Sequence, residues 1–216
     1  MKSRDSAQLA PVFIPGPVGP LEGLLRSPAD PAGTAVVAHP HPQHGGTMHT
    51  KVVHRAARIL SDRFGLAVLR FNFRGVGKSA GSYDSGPGET EDLVAAGRWL
   101  RARHPHGPFV LGGFSFGSVC ALHAAPALVP DVLFLMGVPT RRYRSVPSAP
   151  AGSRVFWIQG ERDEYSRATK ARGLAEARLW DFVEIPGADH LFDGRLDAFE
   201  EAATEGLGRA LEGRFS

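Results

Sequence analysis

The segment Gly113-Phe114-Ser115-Phe116-Gly117 constrains the fold most, because it places the pattern Gly-x-Ser-x-Gly between a strand-like and a helix-like run. The apolar residues 109–111 predict a β-strand before it, and residues 119–125 predict a helix after it that Pro126 ends. A serine on such a sharp turn adopts a strained backbone conformation that holds its hydroxyl clear of the sheet. Glycine is expected on both sides, since a Cβ would collide where the chain doubles back. The pattern predicts that Ser115 is a nucleophile.

Composition excludes several classes of protein. The 216 residues suit a single domain, residues 1–216, with a substantial core, and the contents of 43% hydrophobic and 22% charged residues are those of a soluble globular protein. The net charge of +3 is scattered, and its densest cluster, Arg141-Arg142-Tyr143-Arg144, is too small to indicate nucleic-acid binding. The single cysteine excludes an internal disulfide and fits a reducing compartment.

No apolar run is long enough for a signal peptide or a membrane span. We therefore expect a cytoplasmic protein with neither nucleic acid nor membrane as a partner. The oligomeric state stays open, a homodimer included.

Predicted strands and helices alternate along the chain. The strands cover residues 12–14, 21–25, 34–38, 66–73, 109–111, 131–136, 154–159 and 180–185, and the helices cover residues 47–64, 89–103, 119–125, 166–178 and 196–211. This alternation predicts an α/β fold with a doubly wound, mostly parallel sheet of about eight strands and helices on both faces. The connector 139–153 is too short for a helical lid, so we expect no cap domain.

Two further residues complete a catalytic pattern around Ser115. A serine hydroxyl is a weak nucleophile that needs a base, and the base needs a third group to orient it. His190 follows the last predicted strand and Asp163 follows the strand before it. Both positions are carboxyl ends of predicted parallel strands, where open α/β sheets build their sites. The order Ser115, Asp163, His190 is the order nucleophile, acid, base, and it predicts a catalytic triad.

Other carboxylates compete with Asp163 for the role of the acid. Glu161 and Glu164 lie in the same predicted loop, and Asp189 precedes His190 directly. A residue next to the histidine rarely turns toward its own neighbour's ring, so we expect Asp189 to cap its loop instead. Asp163 is favoured, with Glu164 next.

With this triad, the chain resembles the α/β-hydrolase superfamily over nearly its whole length. It is most similar to a small, lidless branch of bacterial hydrolases that carry H-P-H-P-x-x-G-G, here residues 39–46, and R-F-N-F-R-G-x-G-x-S, here residues 70–79. The resemblance implies two backbone oxyanion donors, the N–H of Phe116 and one from the loop after the 34–38 strand. Pro40 stands where the commoner H-G-x pattern has glycine, and it has no N–H. Aligning His39 with the superfamily histidine makes the backbone of His41 the second donor.

The predicted function is that of a serine hydrolase that cleaves a small-molecule carboxylic ester or thioester through an acyl-enzyme, without a cofactor. A serine nucleophile excludes the dehalogenase and epoxide-hydrolase variants of the fold, which use aspartate. Ester and thioester are favoured over amide because a good leaving group demands less of the site. A pocket without a lid favours small or exposed acyl groups. The arginines of the 139–153 connector are expected to be solvated; if they instead reach the rim of the pocket, they favour an anionic or polar substrate.

Two other functions are considered. His39, His41 and His44 have a spacing similar to that of zinc-dependent hydrolases of the metallo-β-lactamase type, but Gln43 stands where that motif has aspartate and the downstream ligands are missing. A phosphate-binding loop at residues 75–79 is rejected, since Asn72 occupies the position of its first glycine. The other alternative is a non-catalytic binding module that keeps the fold.

Overall fold

The computed structural model describes residues 7–143 and 146–215, in which eight strands form one sheet. The spatial order is β1-β2-β4-β3-β5-β6-β7-β8; β1, β2 and β4 pair antiparallel, and every pairing from β4 to β8 is parallel. The strands are β1 (Gln8–Gly16), β2 (Gly19–Ser27), β3 (Thr34–Ala38), β4 (Ala67–Phe71), β5 (Phe109–Phe114), β6 (Val132–Met136), β7 (Arg154–Gly160) and β8 (Asp181–Ile185).

Helices cover both faces of this sheet. They are α1 (Lys51–Asp62), α2 (Pro87–Arg103), α3 (Phe116–Leu128), α4 (Ala168–Glu176) and α5 (Leu196–Leu211), with a 3₁₀ turn at Pro42–His44. Side chains alternate between the faces of a strand. On β3, Val36 and Ala38 join the core beneath α2, α3 and α4, whereas Ala35 and Val37 join the core beneath α1 and α5. This burial on both faces explains the continuous apolar run of that strand.

The connections place a crevice between β3 and β5. The chain leaves β3 to form β4 on one side of it, and then returns to form β5 on the other side. Such a reversal separates the loops at the carboxyl ends of the two strands and is where open α/β sheets bind ligands. The loop after β3 and the turn after β5 therefore lie beside each other.

Most predicted boundaries differ from the observed ones by a few residues, and three of the differences have a clear cause. Pro126 lies inside α3, which continues to Leu128, because a proline in the last turn removes only one hydrogen bond. Helix α1 begins at Lys51 and not at residue 47, since the peptide groups of Met48 bond to side chains of the β4 region. Strand β4 ends at Phe71, and the next two residues turn into a loop.

No lid covers the carboxyl end of the sheet in the part of the chain that the structure describes. Residues 137–143 and 146–153, between β6 and β7, contain turns but no helix. Arg144 of the basic cluster lies outside the described residues. Among the helices of the described ranges, none has the length and apolar character needed to cross a membrane.

Candidate active site

Ser115 occupies the sharp turn between β5 and α3. Its φ of 56° is in the left-handed region, which a residue with a side chain rarely adopts, and its N–H donates to the carbonyl of Met136 at 2.8 Å. A Cβ on Gly113 would lie 2.2 Å from the carbonyl oxygen of Gly117, and one on Gly117 would lie 2.6 Å from the carbonyl oxygens of Ala38 and His39. Both glycines are therefore required, the first by the turn itself and the second by the loop after β3.

A hydrogen-bonded chain joins Ser115, His190 and Asp163. The Ser115 hydroxyl lies 2.8 Å from Nε2 of His190, and Nδ1 of His190 lies 2.7 Å from Oδ2 of Asp163. The other carboxylate oxygen of Asp163 accepts the N–H groups of Tyr165 at 2.8 Å and Ser166 at 3.1 Å. Since the carboxylate accepts the Nδ1 proton, Nε2 is free to accept the serine proton.

The competing carboxylates have other positions. Glu161 accepts the N–H of Gly187 at 2.6 Å, and Asp189 accepts the N–H of Asp193 at 3.0 Å, which is the loop-capping role expected for it. Glu164 lines the cavity but does not contact the imidazole ring. Only Asp163 among these four bonds to His190.

Aromatic rings fix the plane of the His190 imidazole. Phe114 stacks on it with 5.1 Å between the ring centroids, and Tyr165 packs against it edge-on at 4.7 Å. The side chain is thus nearly buried, and its ring nitrogens point along the line from Asp163 to Ser115.

The loop after β3 is held by a buried, neutral histidine. Nε2 of His39 accepts the N–H of Phe73 at 3.1 Å, so the ring proton lies on Nδ1 and is donated to the carbonyl of Pro40 at 2.6 Å. Complete burial lowers the pKa of His39 to about 4, because the surroundings disfavour its charged form. His39 therefore ties its own loop to the loop that follows β4.

A second set of bonds ties the same two loops together farther from the cavity. The side chain of Asn72 accepts the N–H of Met48 at 2.9 Å and donates to Glu22 at 2.9 Å. The guanidinium of Arg70 donates to the carbonyl of Met48 at 2.7 Å. These contacts explain why an arginine and an asparagine stand at the end of a buried strand.

His41 and Phe116 lie on the wall of the same cavity as Ser115 and His190. The carbonyl of His41 accepts the N–H groups of His44 and Gly46, each at 3.1 Å, which fixes the backbone at this point. Phe116 is the first residue of α3, and the first N–H groups of a helix have no partner within it. The cavity has a volume of about 200 Å³ and is lined by Pro40, His41, His44, Ser115, Phe116, Pro139, Arg142, Tyr143, Glu164, Tyr165, His190 and Leu191.

The histidines of this loop do not form a metal-binding arrangement. Both ring nitrogens of His39 bond to backbone groups, and Nε2 of His41 bonds to the hydroxyl of Tyr83 at 2.9 Å. Within residues 7–143 and 146–215, no group of three or more histidine, cysteine, aspartate or glutamate side chains is placed to hold a metal ion. The chemistry of this donor set therefore does not fit a resident zinc ion.

Sequence reasoning missed four contributors to the site. Gln159 donates a hydrogen bond to Asp163, Tyr83 bonds to His41, and Arg74 forms a buried ion pair with Asp92 that joins the loop after β4 to α2. Tyr165, against His190, was not singled out either. Two of them carried a signal: Gln159 as a polar residue after the apolar run 155–158, and Arg74 as a member of the 70–79 segment.

The chain is similar in sequence to known proteins. A family model described as "alpha/beta hydrolase fold" matches residues 43–167. An uncharacterized protein from Rickettsia prowazekii is 34% identical over 211 residues, which is 91% of this chain and 87% of that protein.

Solved structures are similar to it as well. A protein from Xanthomonas campestris, described as an α/β serine hydrolase without a lid, is 39% identical with a TM-score of 0.88, covering 95% of this chain and 96% of its own. An α/β serine hydrolase homologue from Coxiella burnetii is 36% identical with a TM-score of 0.83, covering 92% of this chain and 97% of its own.

Proposed function

The chain belongs to the α/β-hydrolase family, and from that premise we propose that it is a serine hydrolase that cleaves carboxylic esters or thioesters through an acyl-enzyme. The observation that carries the proposal is the unbroken hydrogen-bonded chain from Ser115 through His190 to Asp163, with Ser115 on a strained turn. A serine in this arrangement is positioned to lose its proton as it attacks.

The mechanism assigns one role to each residue. Oγ of Ser115 attacks the substrate carbonyl carbon as its proton moves to Nε2 of His190, and Asp163 stabilises the imidazolium that forms. The C–O or C–S bond then breaks as His190 returns the proton to the leaving group. Water, deprotonated by His190, attacks the acyl carbon, and the acid leaves as Ser115 regains its proton.

The negative charge on the carbonyl oxygen is stabilised by the backbone N–H groups of Phe116 and His41. Donors fixed in place before the reaction contribute about 2.7–4 kcal/mol each to stabilisation of the transition state. The position of Phe116 at the start of α3 supports its assignment, because the positive end of the helix dipole points to the same place. The hydrogen bonds that fix the backbone around His41 support the assignment of its N–H as the second donor.

We propose that the substrate is small and carries a negative charge near the ester. The cavity is open and has no lid within the described residues, which favours small or exposed acyl groups. Arg142 lines it, lies 5.3 Å from the centre of the Tyr165 ring, and forms no ion pair with a carboxylate in the described ranges of the chain. Glu164 lines the same cavity and carries the opposite charge. We therefore expect the negative group of the substrate to lie beside Arg142 and away from Glu164.

Labelling with a fluorophosphonate probe tests the assignment of Ser115. We expect the wild-type chain to be labelled and Ser115→Ala to be unlabelled, because the probe forms its bond only with an activated serine. Ser82→Ala, which removes the hydroxyl of an exposed serine outside the cavity, is the control that should keep labelling. Folded wild-type protein without labelling at Ser115 would favour the binding-module alternative.

A further inference from the structure

We propose that Gln159 is a positioning residue that holds the Asp163 carboxylate in line with His190; this inference rests on the proposed function. Gln159 lies near the end of β7 and is fully buried, so its amide must find partners inside the protein. Its Nε2 donates to Oδ2 of Asp163, the same oxygen that bonds to Nδ1 of His190.

The orientation of the Gln159 amide follows from its second partner. Its Oε1 accepts a hydrogen bond from the indole N–H of Trp157 at 2.9 Å. An indole nitrogen can only donate, so the amide oxygen must face Trp157 and the amide NH₂ must face Asp163. Trp157 lies two residues earlier on the same face of β7 and is itself fully buried against Trp180 and Phe182.

Within the described residues, these contacts surround the carboxylate without an arginine or lysine side chain. Oδ1 accepts two backbone N–H groups, and Oδ2 accepts Gln159 and His190. If the amide donor is removed, His190 is the one remaining partner of Oδ2, and a buried lone pair of a charged group is left without a partner. The Asp163 carboxylate is then held less firmly in one orientation. As a result, the tautomer and the ring orientation of His190 are also held less firmly.

Two variants distinguish positioning from simple packing, with the rate of fluorophosphonate labelling at several pH values as the readout. Gln159→Met keeps the volume and removes the donor, and we expect labelling to slow by about 10- to 100-fold at every pH. Gln159→Glu can still donate while its new carboxyl is protonated, so its rate should be close to wild type at low pH. Relative to the wild type, the rate should fall as the pH rises, because ionisation of the new carboxyl removes the donor to Asp163 and places a second negative charge beside it.

Ile158→Val, on the opposite face of β7, is the control and should keep the wild-type pH profile. Trp157→Phe, which removes the donor to the Gln159 amide, should slow labelling, less than Gln159→Met does, and add nothing in that background. If the Gln159 variants do not fold, a wild-type labelling rate for Trp157→Phe overturns the inference. Wild-type rates for Gln159→Met, or a profile of Gln159→Glu parallel to wild type, would overturn the inference while leaving the proposed function intact. Absence of labelling in the wild type would instead overturn the proposed function.

Discussion

Two halves of the candidate site are built in different ways. On one side, His190 and Asp163 present side chains from loops that directly follow strands, and the acid is held by hydrogen bonds within residues 159–166. On the other side, the His39–Gly46 segment presents backbone, and its support comes from residues after β4 that are distant in sequence. The first half therefore acts through side chains that are held by residues near them in sequence. The second half acts through backbone groups that are held by residues distant in sequence.

This difference predicts how each half responds to substitution. In the first half, a change at one side chain removes a chemical group directly. In the second half, most side chains act only through the conformation of the loop, so the informative changes are those that remove an N–H group or disturb the fold. The following experiments test that distinction in order of the expected effect.

The largest effect is expected when the backbone donor of His41 is removed. His41 has a φ of −53° and a ψ of 121°, values that proline adopts readily, so His41→Pro deletes the N–H with little distortion. We expect kcat to fall by about 10²- to 10³-fold, the usual cost of losing one oxyanion donor. Steady-state kinetics on an activated ester would measure it.

His41→Ala is the matched control, because it loses the imidazole ring and the bond to Tyr83 but keeps the N–H. It should retain most of the activity. Equal losses in the two variants would mean that the ring, and not the backbone, is what the site uses, and the contrast between the two halves would disappear.

A smaller effect is expected on stability as the pH falls, through His39. Its pKa is about 4 in the folded chain and about 6.5 when unfolded, so between these values the unfolded state binds the extra proton. Stability is therefore lost as the pH drops from about 6.5 to 4, by about 3 kcal/mol from this group alone. Urea unfolding at several pH values would measure the dependence.

His39→Gln cannot titrate and serves as the comparison. It should be less stable than the wild type at neutral pH, but its free energy of unfolding should depend less steeply on pH in this window. Parallel pH dependences for the two proteins would show that His39 is not the group that links the loop to pH.

The smallest effect is expected at the rim, where Arg142 belongs to neither half. We expect Arg142→Gln to lower kcat/KM by about fivefold or less for a 4-nitrophenyl hemisuccinate, since an exposed charge contributes about 1 kcal/mol or less. The rate with neutral 4-nitrophenyl butyrate should not change, and the difference should shrink at high salt.

Arg141→Gln is the control, because Arg141 is exposed and does not line the cavity. Glu164→Gln should raise the rate with the anionic ester. A preference for long-chain esters, or equal losses for Arg141→Gln and Arg142→Gln, would contradict the proposed small, anionic substrate.

Much of the fold could be predicted from local pattern. The mostly parallel sheet, its eight strands and the membership of the α/β-hydrolase family are confirmed, because burial on both faces leaves continuous apolar runs that are easy to recognise. The errors at Pro126 and at the start of α1 are of another kind. At Pro126 the cause is local, since a proline in the last turn of a helix removes only one hydrogen bond. The start of α1 instead depends on a bond between distant residues, from the Met48 N–H to Asn72, which periodicity does not contain.

The order of residues alone was sufficient to single out Ser115 and His190 and to favour Asp163, since strand ends in a parallel sheet meet at one edge whatever the details of packing. It could not choose among Asp163, Glu161 and Glu164 by geometry, because that choice depends on which carboxylate turns inward at the end of β7. Only the tertiary structure decided that, and it also decided that His39 is neutral and that Gln159 faces the acid. Burial and hydrogen-bond direction are properties of the packed chain and exist only once distant segments are in contact.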